Sequence, residues 1–202
     1  MKILGILSVI LALTLLACSK DSSTGPGPAQ VEKDYLALGW SNFESQKYDS
    51  AVTSFTSAYN NATTSAERGE ALSGRGWAYT YRRDLAKGKA DFVFAYGLTG
   101  IAPAVMNDIR VGVAFALYAL NDFSAAASYA STALTENASY TFSHDPKVTT
   151  RRVRVLLAQS YYAAGQFSQC AAQLDLLDAT HAPHALDPPS LLAGITSLLN
   201  SL

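Results

Sequence analysis

One pattern, written four times, constrains this chain more than anything else in it. Segments beginning at Glu32, Gly69, Asn107 and Arg151 each run from an apolar helical stretch through a tight polar turn into a second apolar helical stretch. The turns are Gln46-Lys47-Tyr48, Arg83-Asp84-Leu85, Asn121-Asp122-Phe123 and Gly165-Gln166-Phe167. Small residues recur in the first helix at Gly39, Gly76, Ala114 and Ala158, and in the second at Ala51, Gly88, Ala126 and Cys170. Helices can pack closely only where such positions let their backbones approach. Large apolar residues follow each turn at Tyr48, Leu85, Phe123 and Phe167, placed to close the hairpin over its own interior. A hairpin cannot bury its apolar face alone, so the units must stack. The expected fold is all-α.

The repeated unit resembles the tetratricopeptide repeat, a helix-turn-helix of about 34 residues. The first unit carries Tyr35, Leu38, Gly39, Tyr48, Ala51, Phe55 and Ala58 at matching positions, and departs at Asn42. The second carries Leu72, Gly76, Tyr79, Phe92 and Ala95, with Gly88 where alanine is usual. The third carries Val113, Ala114, Phe123, Ala126 and Ala133, with Ala130 for phenylalanine. The fourth carries Leu157, Ala158, Tyr161, Gly165, Phe167 and Leu174, with Cys170 for alanine. The family's closing proline is missing from all four. The resemblance implies a tetratricopeptide-like solenoid of four hairpins at about 32–65, 69–102, 107–140 and 151–184. A non-repeating helical bundle is the competing architecture. Linkers are expected at 66–68, 103–106 and, longer, 141–150. A stack leaves its last apolar face bare, so a cap is expected. Asp187-Pro188-Pro189-Ser190 reads as a helix start. Leu191, Leu192, Ile195, Leu198 and Leu199 then share one face, which makes 185–202 the capping segment.

In such stacks the first helices line a concave groove. Carrying the groove-facing positions of the family onto this chain gives Trp40, Phe43, Trp77, Tyr81, Phe115, Tyr118 and Tyr162. Both tryptophans of the chain fall at the same position of consecutive units. An apolar surface of that size left in water marks a binding site, and aromatic side chains often dominate binding energy. The same rings also suit packing between neighbouring first helices. Few charges are expected in the groove; Lys33, Glu44, Glu70, Asp108 and Arg152 stand at its rim. This argues against the carboxylate clamp of chaperone-docking members of the family. The resemblance instead points to an extended apolar protein or peptide segment, or to a sugar chain stacked on ring faces.

The first residues read as an address. Met1-Lys2 precede an apolar run over 3–17, followed by Leu15-Leu16-Ala17-Cys18 and then polar residues. Fifteen helical residues span about 22 Å, short of a hydrocarbon core of about 30 Å. This resembles a bacterial lipoprotein signal peptide at 1–17, which implies a diacylglyceryl thioether on Cys18 and membrane attachment through it. Ser19 after the cysteine, where aspartate would retain the protein at the inner membrane, implies the outer membrane of the cell envelope, facing the periplasm. Residues 18–31, rich in Ser, Gly and Pro, form a tether.

Composition narrows the function. With Lys+Arg 15 against Asp+Glu 16, the formal net charge of -1 offers no basic surplus for nucleic acid. At 49% apolar and 15% charged residues, the chain has the means to fold. No phosphate loop, nucleophile elbow or metal-binding helix motif is present, so neither catalytic residues nor a cofactor are assigned. His181-Ala182-Pro183-His184 is loosely compatible with a metal, but Pro183 interrupts any helix between the histidines. Cys170 sits at a small, buried position and reads as core, not nucleophile.

Overall fold

The computed structural model describes residues 34–202. Cys18, the leader 1–17, the tether 18–31 and the start of the first repeat at Glu32 lie outside the described residues. Among those described are nine α-helices: α1 (Tyr35–Glu44), α2 (Tyr48–Asn61), α3 (Ser65–Tyr81), α4 (Leu85–Tyr96), α5 (Pro103–Ala119), α6 (Phe123–Glu136), α7 (Thr150–Ala163), α8 (Phe167–Leu177) and α9 (Pro188–Asn200). The protein is all-α.

Side-chain caps fix five of the nine helix starts, those of α1, α3, α6, α7 and α9. The Asp34 carboxylate accepts the Ala37 N–H at 2.9 Å. Thr64 and Glu67 form a reciprocal capping box at α3. Thr149 caps α7, and Asp187 caps α9 just before Pro188 and Pro189, whose missing N–H groups cost nothing in a first turn. The four hairpin turns share one device. Gln46, Arg83, Asn121 and Gly165 all adopt a left-handed backbone, with φ of 58°, 66°, 63° and 73°. The turn geometry is the same each time; only Asn121 and Gly165 are residues that tolerate it easily.

Each helix packs on the next in sequence. The odd-numbered helices also touch one another in series, α1 with α3, α3 with α5, α5 with α7, and α7 with α9. The backbones of the even-numbered helices approach only their sequence neighbours, and a ring pair, Tyr96 with Tyr129 at 5.5 Å, bridges α4 and α6. The odd helices therefore form one layer and the even helices the other. Gly39 and Gly76 make the hairpins close: a Cβ on either would lie 2.5 Å from the Phe55 ring or 2.8 Å from the Phe92 ring. Phe55 and Phe92 are both fully buried. Arg75 of α3 grips Asp91 of α4 with two hydrogen bonds, at 2.7 and 2.8 Å, and reaches Thr56 of α2 at 3.3 Å.

A main core runs from α1 to α7. A second cluster joins Val155, Cys170 and Leu174 to Leu191, Ile195 and Leu198 of α9, which lies against α7 and α8. Each of those three α9 side chains gains about 1.5–3 kcal/mol from burial. No helix among the described residues is long and apolar enough to cross a membrane.

The segment expected as a linker at 141–150 is different. Tyr140, Phe142 and Val148 are buried core residues. A short hairpin-like closure holds them: the Phe142 N–H donates to the Val148 carbonyl at 2.9 Å, and the Thr150 N–H donates to the Tyr140 carbonyl at 2.8 Å. The expectation of a plain connection is corrected here, because one aromatic ring in this polar stretch finds an apolar surface distant in sequence.

Candidate functional site

That insert, residues 137–149, lies across the layer of odd helices, where the sequence places the groove. The Phe142 ring stacks on Trp77 at 4.4 Å between centroids and 23° between planes. Its edges meet Trp40 at 5.9 Å and Phe43 at 6.1 Å. The His144 imidazole lies flat on Trp40, 3.6 Å away and 1° from parallel, with Nδ1 2.8 Å from the Glu44 carboxylate. Polar contacts fix the ends. The Tyr140 hydroxyl donates to Asp108 at 2.8 Å, and the Tyr81 hydroxyl donates to Asp145. The insert is thus bonded to α1, α3 and α5.

The predicted groove residues divide. Trp77 and Phe43 are core, 1% and 3% exposed. Neither is an open binding anchor, because Phe142 covers both. Trp40, Tyr81 and Phe115 are half-buried around that core. The structure brings these five together: Phe43 meets Tyr81 at 5.0 Å, Trp77 meets Phe115 at 6.3 Å, and Trp40 meets Phe43 at 5.7 Å. Tyr118 and Tyr162 do other work. Tyr118 packs edge-on against Phe123 at 5.5 Å, and Tyr162 against Phe167 at 5.8 Å. Phe43 and Tyr48 make the same pair at 5.5 Å. These pairs, five residues apart across three of the four turns, close their own hairpins. The spacing was visible in the sequence.

Two openings flank the insert on this face. One, of about 420 Å³, is lined by Trp77, Thr80, Tyr81, Arg83, Phe115, Asp145, Lys147, Val148 and Arg152. The other, of about 570 Å³, is lined by Phe43, Glu44, Gln46, Tyr48, Tyr81 and residues 143–147. Burial, and then the hydrogen bond to Asp145, push the Tyr81 hydroxyl far above its ordinary range, so it stays a donor. Burial raises the Asp108 carboxyl to about 6, despite the Tyr140 hydrogen bond that opposes the shift. On the opposite layer, Val93 and Phe94 stand 48% and 56% exposed beside a hollow of about 680 Å³ between α4 and α6.

The residues considered for metal or nucleophilic chemistry are separated. His181 pairs with Asp178 at 2.8 Å and His184 with Asp175 at 2.7 Å. Among the described residues no group of three or more His, Cys, Asp or Glu is placed to hold a metal. Cys170 is fully buried, and burial raises its thiol to about 11.

No protein-family model matches the chain, and no curated protein matches it.

Proposed function

We propose that this chain is a non-catalytic binding module of the bacterial cell envelope. It is a tetratricopeptide-like solenoid of four hairpins capped by α9 and carried on a lipid at Cys18. The anchor holds it at the outer membrane, facing the periplasm, where it grips an extended segment of a protein partner. The serial contact of odd helices and the four left-handed turns support the solenoid. The observation that carries the binding role is the continuity of one aromatic cluster from the buried floor, Phe43 and Trp77, to the half-buried rings of Tyr81 and Phe115 at two openings on one face. Rigid helices present those rings with little entropy left to lose on binding. The insert is the resident neighbour of any ligand, since Phe142 and His144 already take the central surface.

Titration of the full-length lipidated protein with aromatic peptides and with neutral oligosaccharides, read by tryptophan fluorescence, tests this. Both tryptophans lie in the cluster, so a bound segment shifts or quenches their emission. A response to peptides supports the reading. A response to oligosaccharides alone replaces it with a glycan-handling role, and no response to either removes it.

A further inference from the structure

The smaller opening is more than apolar. Arg83, Lys147 and Arg152 line it with a single acid, Asp145. Both oxygens of that acid are engaged, one by the Tyr81 hydroxyl and the other by the Lys147 backbone N–H at 3.0 Å. None of the three cationic side chains makes a hydrogen bond or ion pair among the described residues. Neighbouring cations differ: Arg82 pairs with Asp49 at 2.6 Å, Lys87 with Asp84 at 2.9 Å and Arg75 with Asp91 at 2.7 Å. Three unpaired positive charges thus meet at the cavity.

Three separate elements deliver it. Arg83 comes from the second hairpin turn, Lys147 from the insert and Arg152 from the first turn of α7. Arg83 is the informative one. Its backbone is left-handed, a conformation in which a Cβ is disfavoured and which asparagine or glycine fills in the third and fourth turns. The turn needs the backbone; it does not need an arginine. Behind the cations lies the floor of Tyr81 and Phe115, with the buried Trp77 indole N–H donating to no acceptor.

We propose that this cavity takes a carboxylate carried beside an aromatic ring, from a peptide segment of the partner. The ring lies on Tyr81 and Phe115, the guanidinium groups of Arg83 and Arg152 take the carboxylate oxygens, and Lys147 closes over them. Planar guanidinium forks match a carboxylate in geometry as well as charge. The cavity already holds one carboxylate, that of Asp145, through neutral donors, which leaves its cations for a second. This assignment rests on the peptide-binding reading above and names the chemistry the site selects.

N-acetylphenylalanine, as its carboxylate, and N-acetylphenylalaninamide separate charge from ring, and inorganic phosphate supplies charge without a ring. Each is titrated into the full-length lipidated protein in detergent micelles, with tryptophan fluorescence as readout. The carboxylate binds in the millimolar range expected of so small a ligand. The amide and phosphate bind at least about tenfold more weakly. Arg83→Asn, which suits the left-handed turn, and Arg152→Gln each weaken the carboxylate about fivefold or more while thermal melting shows an intact fold. Raising salt from about 0.05 to 0.5 M weakens it further. If the amide binds as well as the carboxylate and the variants change nothing, the anion site is wrong while the peptide reading stands. Phosphate binding as tightly as the carboxylate overturns the ring-bearing ligand. If no probe binds and the peptides of the first titration also fail, both readings fall together.

Discussion

Phe142→Ala tests whether the insert belongs to the fold. The ring is fully buried, stacked on Trp77 and edge-on to Trp40 and Phe43. A phenylalanine buries about 150–250 Å², which at about 25 cal/mol per Å² is worth roughly 4–6 kcal/mol against an extended chain. The methyl group that remains, and the compactness of real unfolded chains, reduce this. Measured core truncations of this type cost about 3–5 kcal/mol, and about 3–4 is expected here. That is a large share of the roughly 5–15 kcal/mol that holds a domain together. With a urea slope of about 2 kcal/mol per M, the midpoint falls by about 1.5–2 M. Urea titration followed by circular dichroism and tryptophan emission measures it. Phe94→Ala, at a ring 56% exposed, serves as the control and stays within about 0.5 kcal/mol of wild type. A Phe142→Ala midpoint within about 0.5 M of wild type would refute the argument, because the insert would then be a surface loop with no part in the core.

Other perturbations have equally definite expectations. Asp108 is raised to about 6 by burial, against about 3.9 in an unfolded chain, so the folded state holds its proton more tightly. Its charge therefore costs stability above pH 6, by an amount of order 2–3 kcal/mol, and the cost disappears as pH falls through 6 to below 4. Asp108→Asn should raise the urea midpoint at pH 7.5 and leave it unchanged at pH 3.5. Gly112→Ala adds a Cβ 2.3 Å from the buried Phe92 ring. Better helix propensity offsets about 1 kcal/mol of the clash, and thermal melting should still show a net loss of about 1–2 kcal/mol. Cys18→Ser should abolish incorporation of labelled palmitate and move the protein from the membrane to the soluble fraction. Unchanged labelling would remove the lipid anchor.

The helical class was legible because its signals are local. The breaks at Gln46, Arg83, Asn121 and Gly165 punctuate runs whose apolar spacing suits only helices. The small residues Gly39 and Gly76 oppose the large Phe55 and Phe92 within a few turns of chain. The aromatic cluster was legible in part, because Trp40, Phe43, Trp77, Tyr81 and Phe115 share a repeat register. What register does not carry is partnership across distance. Phe142 sits in Thr-Phe-Ser-His-Asp-Pro-Lys, a stretch with one large apolar residue and the composition of a loop. Nothing local says that its ring meets Trp77 or that His144 lies on Trp40, about a hundred residues away.

That long-range closure changes how the odd-helix face has to be understood. A stack whose first helices carry Trp, Phe, Trp and Phe in line would expose a large apolar surface, at a cost in solubility and order. The insert removes the cost by supplying the missing face in cis, with Phe142 for the centre and His144 for the rim. It also moves the point of recognition. The central rings become structural, and the surface left for the proposed partner is the border between insert and helices. There the aromatic surface is only partly covered, and the insert contributes Lys147, a charge absent from the helical register. Specificity at such a border comes from elements that meet only after folding: a turn, an insert and a helix start. A motif defined along the helices alone would not contain it. On this argument, replacing residues 141–149 by a short glycine-rich loop should uncover Trp40 and Trp77, red-shifting their emission. It should weaken the preference of aromatic peptides for a carboxylate without abolishing it, because the face would be open and Lys147 gone while Arg83 and Arg152 remain.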